Sequence, residues 1–144
     1  MLFGPLVANI QGIEVIVLPL PNEGAQDYKS LSESISKRLP DEDFILVAES
    51  FSGGIAALLS QQLVPHLKGI IFVASFLSAP KKLMAHFASL LPIRYFAHLP
   101  FSGIVYRLFF LGKDAGNKEI ELFRRAIDAV PIRVLKLRLK VIAQ

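Results

Sequence analysis

The sequence predicts an α/β fold: a parallel sheet with flanking helices, followed by a helical region. Three observations carry this. Short β-branched apolar runs alternate with segments of helical periodicity up to residue 75. The runs are continuous rather than alternating, which is the pattern of strands buried on both faces. Beyond residue 79 the chain turns apolar and aromatic, and Pro92 and Pro100 break it into short pieces. Parallel neighbours need a crossover long enough to hold a helix, so strand–helix–strand–helix–strand fits a parallel sheet.

Each element follows from its local residues. Residues 13–18 (IEVIVL), bounded by Gly12 and Pro19, read as a first buried strand. The turn-rich PLPNEGAQD separates them from residues 28–39, where Leu31, Ile35 and Leu39 recur every fourth position on one helical face and Pro40 stops the helix. Residues 44–49 (FILVAE) are a second strand, residues 53–64 a helix apolar on most sides, and residues 69–75 (GIIFVAS) a third strand. Residues 117–129 form an amphipathic helix with Asn117 as its cap and Ile120, Phe123, Ile127 and Val130 on its apolar face. In the tail, Leu135, Leu137, Leu139 and Val141 alternate like a strand, while Ile132, Leu135, Leu139 and Ile142 fit a helical stripe. Pro131 at a helix start favours the helix.

Composition excludes several classes. With 53% hydrophobic and 19% charged residues the chain is not disordered. The absence of cysteine removes disulfides and thiolate metal sites. No basic region followed by an apolar core opens the chain, so no signal peptide is expected. No run reaches the roughly 18 apolar residues of a membrane span, and a cytoplasmic location is expected. The net charge of +4 divides into −4 over residues 1–80 and +8 over residues 81–144. That basic half carries no nucleic-acid motif, so neither nucleic-acid nor membrane-surface binding is expected of it.

The segment that carries chemistry is FILVAESFSGGIAALL. A strand ends at Glu49, Ser50 occupies the turn, and a helix starts within a few residues. Ala48, Ser52, Gly53 and Gly54 are small, as a close strand–helix crossing demands. A serine there projects its hydroxyl from the C-terminal edge of the sheet, with a helix N-terminus and its free N–H groups behind it. The plainer alternative is a serine that merely caps the helix.

At Ala48-Glu49-Ser50-Phe51-Ser52 the chain resembles the α/β-hydrolase family, whose pattern is Gly-x-Ser-x-Gly. Both glycines are replaced by small residues, and Ser52 adds a Cβ where the packing is expected to be tightest. The resemblance extends over essentially the whole chain. It implies a capped serine hydrolase of esterase type, with residues 1–79 as a partial α/β-hydrolase core and residues 80–144 as a helical cap. It further implies Ser50 as nucleophile, the Phe51 N–H as one oxyanion donor, a small acyl or ester substrate, and no cofactor or metal. In this family the acid and then the histidine follow the cap, and a second oxyanion donor lies in a loop after an early strand, which Met1-Leu2-Phe3-Gly4-Pro5 would follow, so the chain reads as truncated at both ends. Exposed apolar sheet surface and self-association are expected to follow.

Other residues read as structural. His66 lies a full helix length from Ser50, too far to act as its base. His86 and His98 fall in the cap and read as packing, as do Phe87, Leu91, Tyr95, Phe96, Phe101, Tyr106, Phe109 and Phe110, which otherwise suit an acyl pocket. Asp114 reads as a turn residue, Asp128 as a solvated helix residue, and Glu49 as pointing away from the nucleophile. Arg94, Arg107, Arg124 and Arg125 read as a solvated face rather than a site for an anionic carrier. The alternative to the hydrolase is a non-catalytic remnant that binds an apolar ligand or a partner chain.

Overall fold

A computed structural model describes residues 4–75, 102–107 and 111–142. In chain order the described elements are α1 (Gly4–Asn9), α2 (Tyr28–Ser36), β1 (Phe44–Glu49), α3 (Ser52–Gln61), β2 (Leu67–Val73), α4 (Ser102–Tyr106), α5 (Asn117–Asp128) and α6 (Ile132–Ile142). The chain is mixed α/β, and its described sheet has two strands. β1 and β2 pair in parallel, with Val47 opposite Ile71 and Glu49 opposite Val73. No described helix is long and apolar enough to cross a membrane.

Two compact units are present. Of the described residues, one unit holds residues 18–75 and 136–142, the other residues 4–17, 102–107 and 111–135. In the first, Asp27 caps α2 by accepting the Ser30 N–H at 2.9 Å, the role for which short acceptor side chains are suited. The apolar stripe of α2, Leu31 and Ile35, meets Ile55 and Leu59 of α3 in a buried cluster. Leu18, Leu20, Tyr28, Leu46 and Phe51 pack around it. Burying side chains of this size stabilises by about 1.5–3 kcal/mol each, so this cluster holds α2 and α3 together and against β1. In the second unit Tyr106 and Ile120 form a smaller cluster with Leu111, Phe123 and Ile127 around it. Three of the four apolar positions expected for residues 117–129 therefore face that core.

Several expectations are corrected. Residues 13–18 form no strand, and Ile13 is 74% exposed. A strand is defined by its partner, and this run has no ladder among the described residues, so its β-branched content alone leaves it irregular. The strands are not buried on both faces. Helix α3 packs on one side of the sheet, while Ile45 and Ile71, on the other, are 62% and 52% exposed. With no covering layer among the described residues, a continuous apolar run shows the one-sided burial of a half-solvated sheet. Helix α2 ends at Ser36, four residues before Pro40, and β2 starts and ends two residues earlier than expected. Gly116, not Asn117, is the N-cap residue of α5. Asn117 is the first helical residue, and its side chain accepts from Arg107 Nη2 at 3.2 Å. The tail is helical, as Pro131 suggested, with the Leu135 N–H bonded to Pro131 O at 3.0 Å.

Candidate functional site

Strand β1 delivers Ser50 to the C-terminal edge of the sheet, and α3 begins two residues later. Ser50 has φ of 52°, the left-handed region that costs an L-residue with a Cβ roughly 1–2 kcal/mol. Its backbone is held on both sides: Ser50 N–H donates to Val73 O of β2 at 3.0 Å, and Ser50 O accepts the Gly53 N–H at 3.1 Å. The residue is exposed, and among the described residues nothing hydrogen-bonds its hydroxyl. This separates it from a helix cap. The cap position of α3 belongs to Phe51, which makes no side-chain capping bond.

The small residues around the turn have distinct uses. Ala48 is buried under the elbow. Ser52 Oγ reaches back to the strand end, donating to Glu49 O at 2.7 Å and accepting the Glu49 N–H at 2.9 Å. Ser52 is therefore a brace, and the tightest approach lies one residue further on. A Cβ at Gly53 would sit 2.5 Å from Ser75 Cβ, and one at Gly54 would sit 2.5 Å from the Tyr28 ring. Ser75 in turn donates to Ala48 O at 2.8 Å, so the segment after β2 is pinned against the strand that carries Ser50.

Phe51 supplies a backbone N–H that no described residue accepts. Its ring is flanked by Tyr28, with centroids 4.9 Å apart, and by the guanidinium of Arg138, 5.7 Å from the ring centre. Arg138 Nε donates to Gln26 Oε1 at 3.0 Å, and Nη2 donates to Pro21 O at 2.9 Å. Gln26 is only 3% exposed. Its amide nitrogen donates to Pro21 O, Glu23 O and Gly24 O at 3.1–3.3 Å, which leaves its oxygen for the arginine. The sequence reading missed this pair. The two residues are 112 positions apart, and nothing local marks a lone Gln in a turn or an Arg within a basic tail.

The remaining candidates are not brought to Ser50. His66 sits at the opposite end of the sheet, where its carbonyl accepts the Phe44 N–H. Its Nδ1 is 3.1 Å from Asp43 Oδ1, which Lys68 Nζ also approaches at 3.2 Å. Hydrogen bonds from His66 and then Lys68 hold the Asp43 carboxyl below its usual pKa. Glu49 is half-buried, and desolvation pushes its pKa up. Asp114 lies in a turn and Asp128 ends α5. Arg107 Nε donates to Ala115 O at 2.7 Å, so it braces a loop. Arg125 Nε donates to Glu121 Oε1 at 3.0 Å and Arg124 Nη1 lies 3.6 Å from Glu121 Oε2, both on α5. Tyr106 is a core residue. His86, His98, Arg94, Phe87, Leu91, Tyr95, Phe96, Phe101, Phe109 and Phe110 lie outside the described residues. Among the described residues no group of three or more His, Asp or Glu is placed to hold a metal ion. The chain matches no protein-family profile, no curated protein and no solved structure.

Proposed function

We propose that the chain carries the nucleophile elbow of a serine hydrolase of α/β-hydrolase, esterase type, with Ser50 as nucleophile and the Phe51 N–H as an oxyanion donor. One observation carries the reading: a left-handed, non-glycine serine joins a parallel strand directly to a helix with its hydroxyl exposed. Strained backbone of this kind persists only where the surroundings over-determine it. An ordinary helix start is satisfied by an extended cap residue and gains nothing from such strain. The unclaimed Phe51 N–H adds support, since an oxyanion donor must be free to meet the developing charge. In the reaction Ser50 Oγ attacks the carbonyl carbon of an ester. Its proton passes to a base, and the carbonyl oxygen becomes the oxyanion that Phe51 N–H meets. The one described histidine, His66, is at the far end of β1, so no base for Ser50 is present among the described residues.

The test is covalent. A fluorophosphonate probe is expected to label this chain at Ser50, slowly and stoichiometrically, and Ser50→Ala abolishes the label. Ser50-dependent steady-state turnover of a p-nitrophenyl ester stays at background. Labelling spread over exposed serines such as Ser60, without preference for Ser50, would overturn the reading. A second reading, a non-catalytic module that binds an apolar ligand or partner chain, is favoured by the exposed apolar sheet face of Ile45, Val47, Ile71 and Val73. It predicts concentration-dependent self-association in sedimentation, and a strictly monomeric chain counts against it.

A further inference from the structure

We propose that Arg138 is a positioning residue for the elbow, holding the Phe51 ring in place and with it the Phe51 N–H. The inference rests on the esterase reading for its purpose but on independent contacts for its geometry. Arg138 is a half-buried cation with three partners, and none of them is charged: Gln26 Oε1 at 3.0 Å, Pro21 O at 2.9 Å and the face of Phe51 at 5.7 Å. No described carboxylate pairs with it. A half-buried arginine without an acid is held for its shape as well as its charge. The planar fork spans two acceptors at fixed angles while the guanidinium lies over an aromatic ring at cation–π distance, a combination that a lysine cannot reproduce.

The acceptors are themselves immobilised. Gln26 is buried and tied to three carbonyls of its own loop, and Gly24 takes φ of 76° so that the loop can fold back on that amide. The chain of constraint therefore runs from the 21–26 loop through Arg138 to Phe51, whose other flank is closed by Tyr28. Phe51 follows the left-handed residue directly, so its side chain is the lever by which packing fixes the turn. A donor displaced by a fraction of an ångström from the oxyanion loses much of its effect.

The experiment compares wild type with Arg138→Met, Arg138→Lys and Ile35→Val. The last lowers the melting temperature from the core cluster on which Phe51 also packs, and leaves the three Arg138 contacts in place. Two quantities are read: the concentration dependence of Ser50 labelling by the fluorophosphonate, and the order parameter of the Phe51 amide by NMR relaxation. In Arg138→Met the limiting labelling rate is expected to fall about tenfold, a fraction of the 10²–10³ lost when an oxyanion donor is removed outright. The half-saturating probe concentration stays constant. The Phe51 amide drops below the rigid-backbone value of about 0.85. Arg138→Lys recovers only part of either, and Ile35→Val changes neither. Wild-type labelling in Arg138→Met, or an equal loss in Ile35→Val, overturns the proposal. If wild type is not labelled at Ser50 the esterase reading fails alone. The clamp is then judged on the Phe51 amide, and an unchanged order parameter in Arg138→Met overturns it.

Discussion

Replacing Ser50 with glycine should stabilise the chain while removing the proposed nucleophile. At φ of 52° the serine Cβ crowds the backbone at a cost of roughly 1–2 kcal/mol, which glycine does not incur. Glycine in turn adds unfolded-state freedom worth about 0.4–1 kcal/mol against folding. The hydroxyl has no partner among the described residues to lose. The net expectation for Ser50→Gly is a gain of about 0.5–1 kcal/mol, or roughly 2–4 °C at this chain length. Ser50→Ala keeps the Cβ and its crowding and stays within about 0.5 kcal/mol of wild type. Ser50→Val adds a branch at a position where β-branched residues are severe outliers and loses more than about 1 kcal/mol. Urea denaturation of the four chains gives the order Gly above Ser and Ala, with Val last, at constant m. At an extended or helical position glycine would instead be the least favourable of the small residues. A Ser50→Gly chain less stable than Ser50→Ala therefore refutes the left-handed elbow.

Gly53→Ala is expected to lose about 1–2 kcal/mol. The new methyl meets Ser75 Cβ at 2.5 Å, close to a backbone that cannot swing aside, and overpacking outweighs the helix preference of alanine. Gly54→Ala should cost less, because the obstructing Tyr28 ring can rotate; chemical melts of the two side by side check the ranking. Acid should weaken the fold through Asp43 and Asp27. The folded pKa of Asp43 is lowered by hydrogen bonds from His66 and Lys68, and that of Asp27 by hydrogen bonds from Ser30. Their stabilisation is present above the unfolded value near 3.8 and disappears as pH falls through the folded ones, an effect that Asp43→Asn and Asp27→Asn reduce in an acid titration. Glu49 has the opposite sign. Desolvation raises its folded pKa above 4.5, so its charged form opposes folding at neutral pH. Glu49→Gln should be more stable than wild type at pH 7, with the difference vanishing as pH falls below 4.5.

The strand at residues 44–49 was legible to the residue because six apolar-rich positions stand between the polar Asp41-Glu42-Asp43 and the small residues of the turn. The apolar faces of residues 28–39 and 117–129 were legible because helical spacing of three and four residues survives any arrangement of neighbours. Residues 13–18 failed for a complementary reason. Their composition suits a strand, but a ladder needs a second backbone, and nothing in a local window shows whether one is there. At the elbow the need for small residues was visible, while its phase was not. Ser52 can use its hydroxyl to brace Glu49 because the crossing is tightest at Gly53, and that offset depends on how α3 leans on the segment after β2. The Gln26–Arg138 contact was invisible, since side-chain pairing across 112 residues leaves no periodic trace.

Left-handed backbone does not by itself mark a nucleophile, and the chain supplies its own control. Ala74, the residue after β2, has φ of 46°, close to the 52° of Ser50 after β1. Both strands thus end in the same reversal at the same edge of the sheet, and Ser75 ties the two ends together through Ala48 O. What differs is the environment beyond the reversal. After Ala74 comes a seryl hydroxyl committed to backbone carbonyls. At Ser50 the hydroxyl is uncommitted, a helix departs at once, and the following N–H is unclaimed. Strain explains why the chain turns at both places. Only the combination at Ser50 leaves reactive groups unspent, and this is why the functional reading attaches to that residue and not to its structural counterpart.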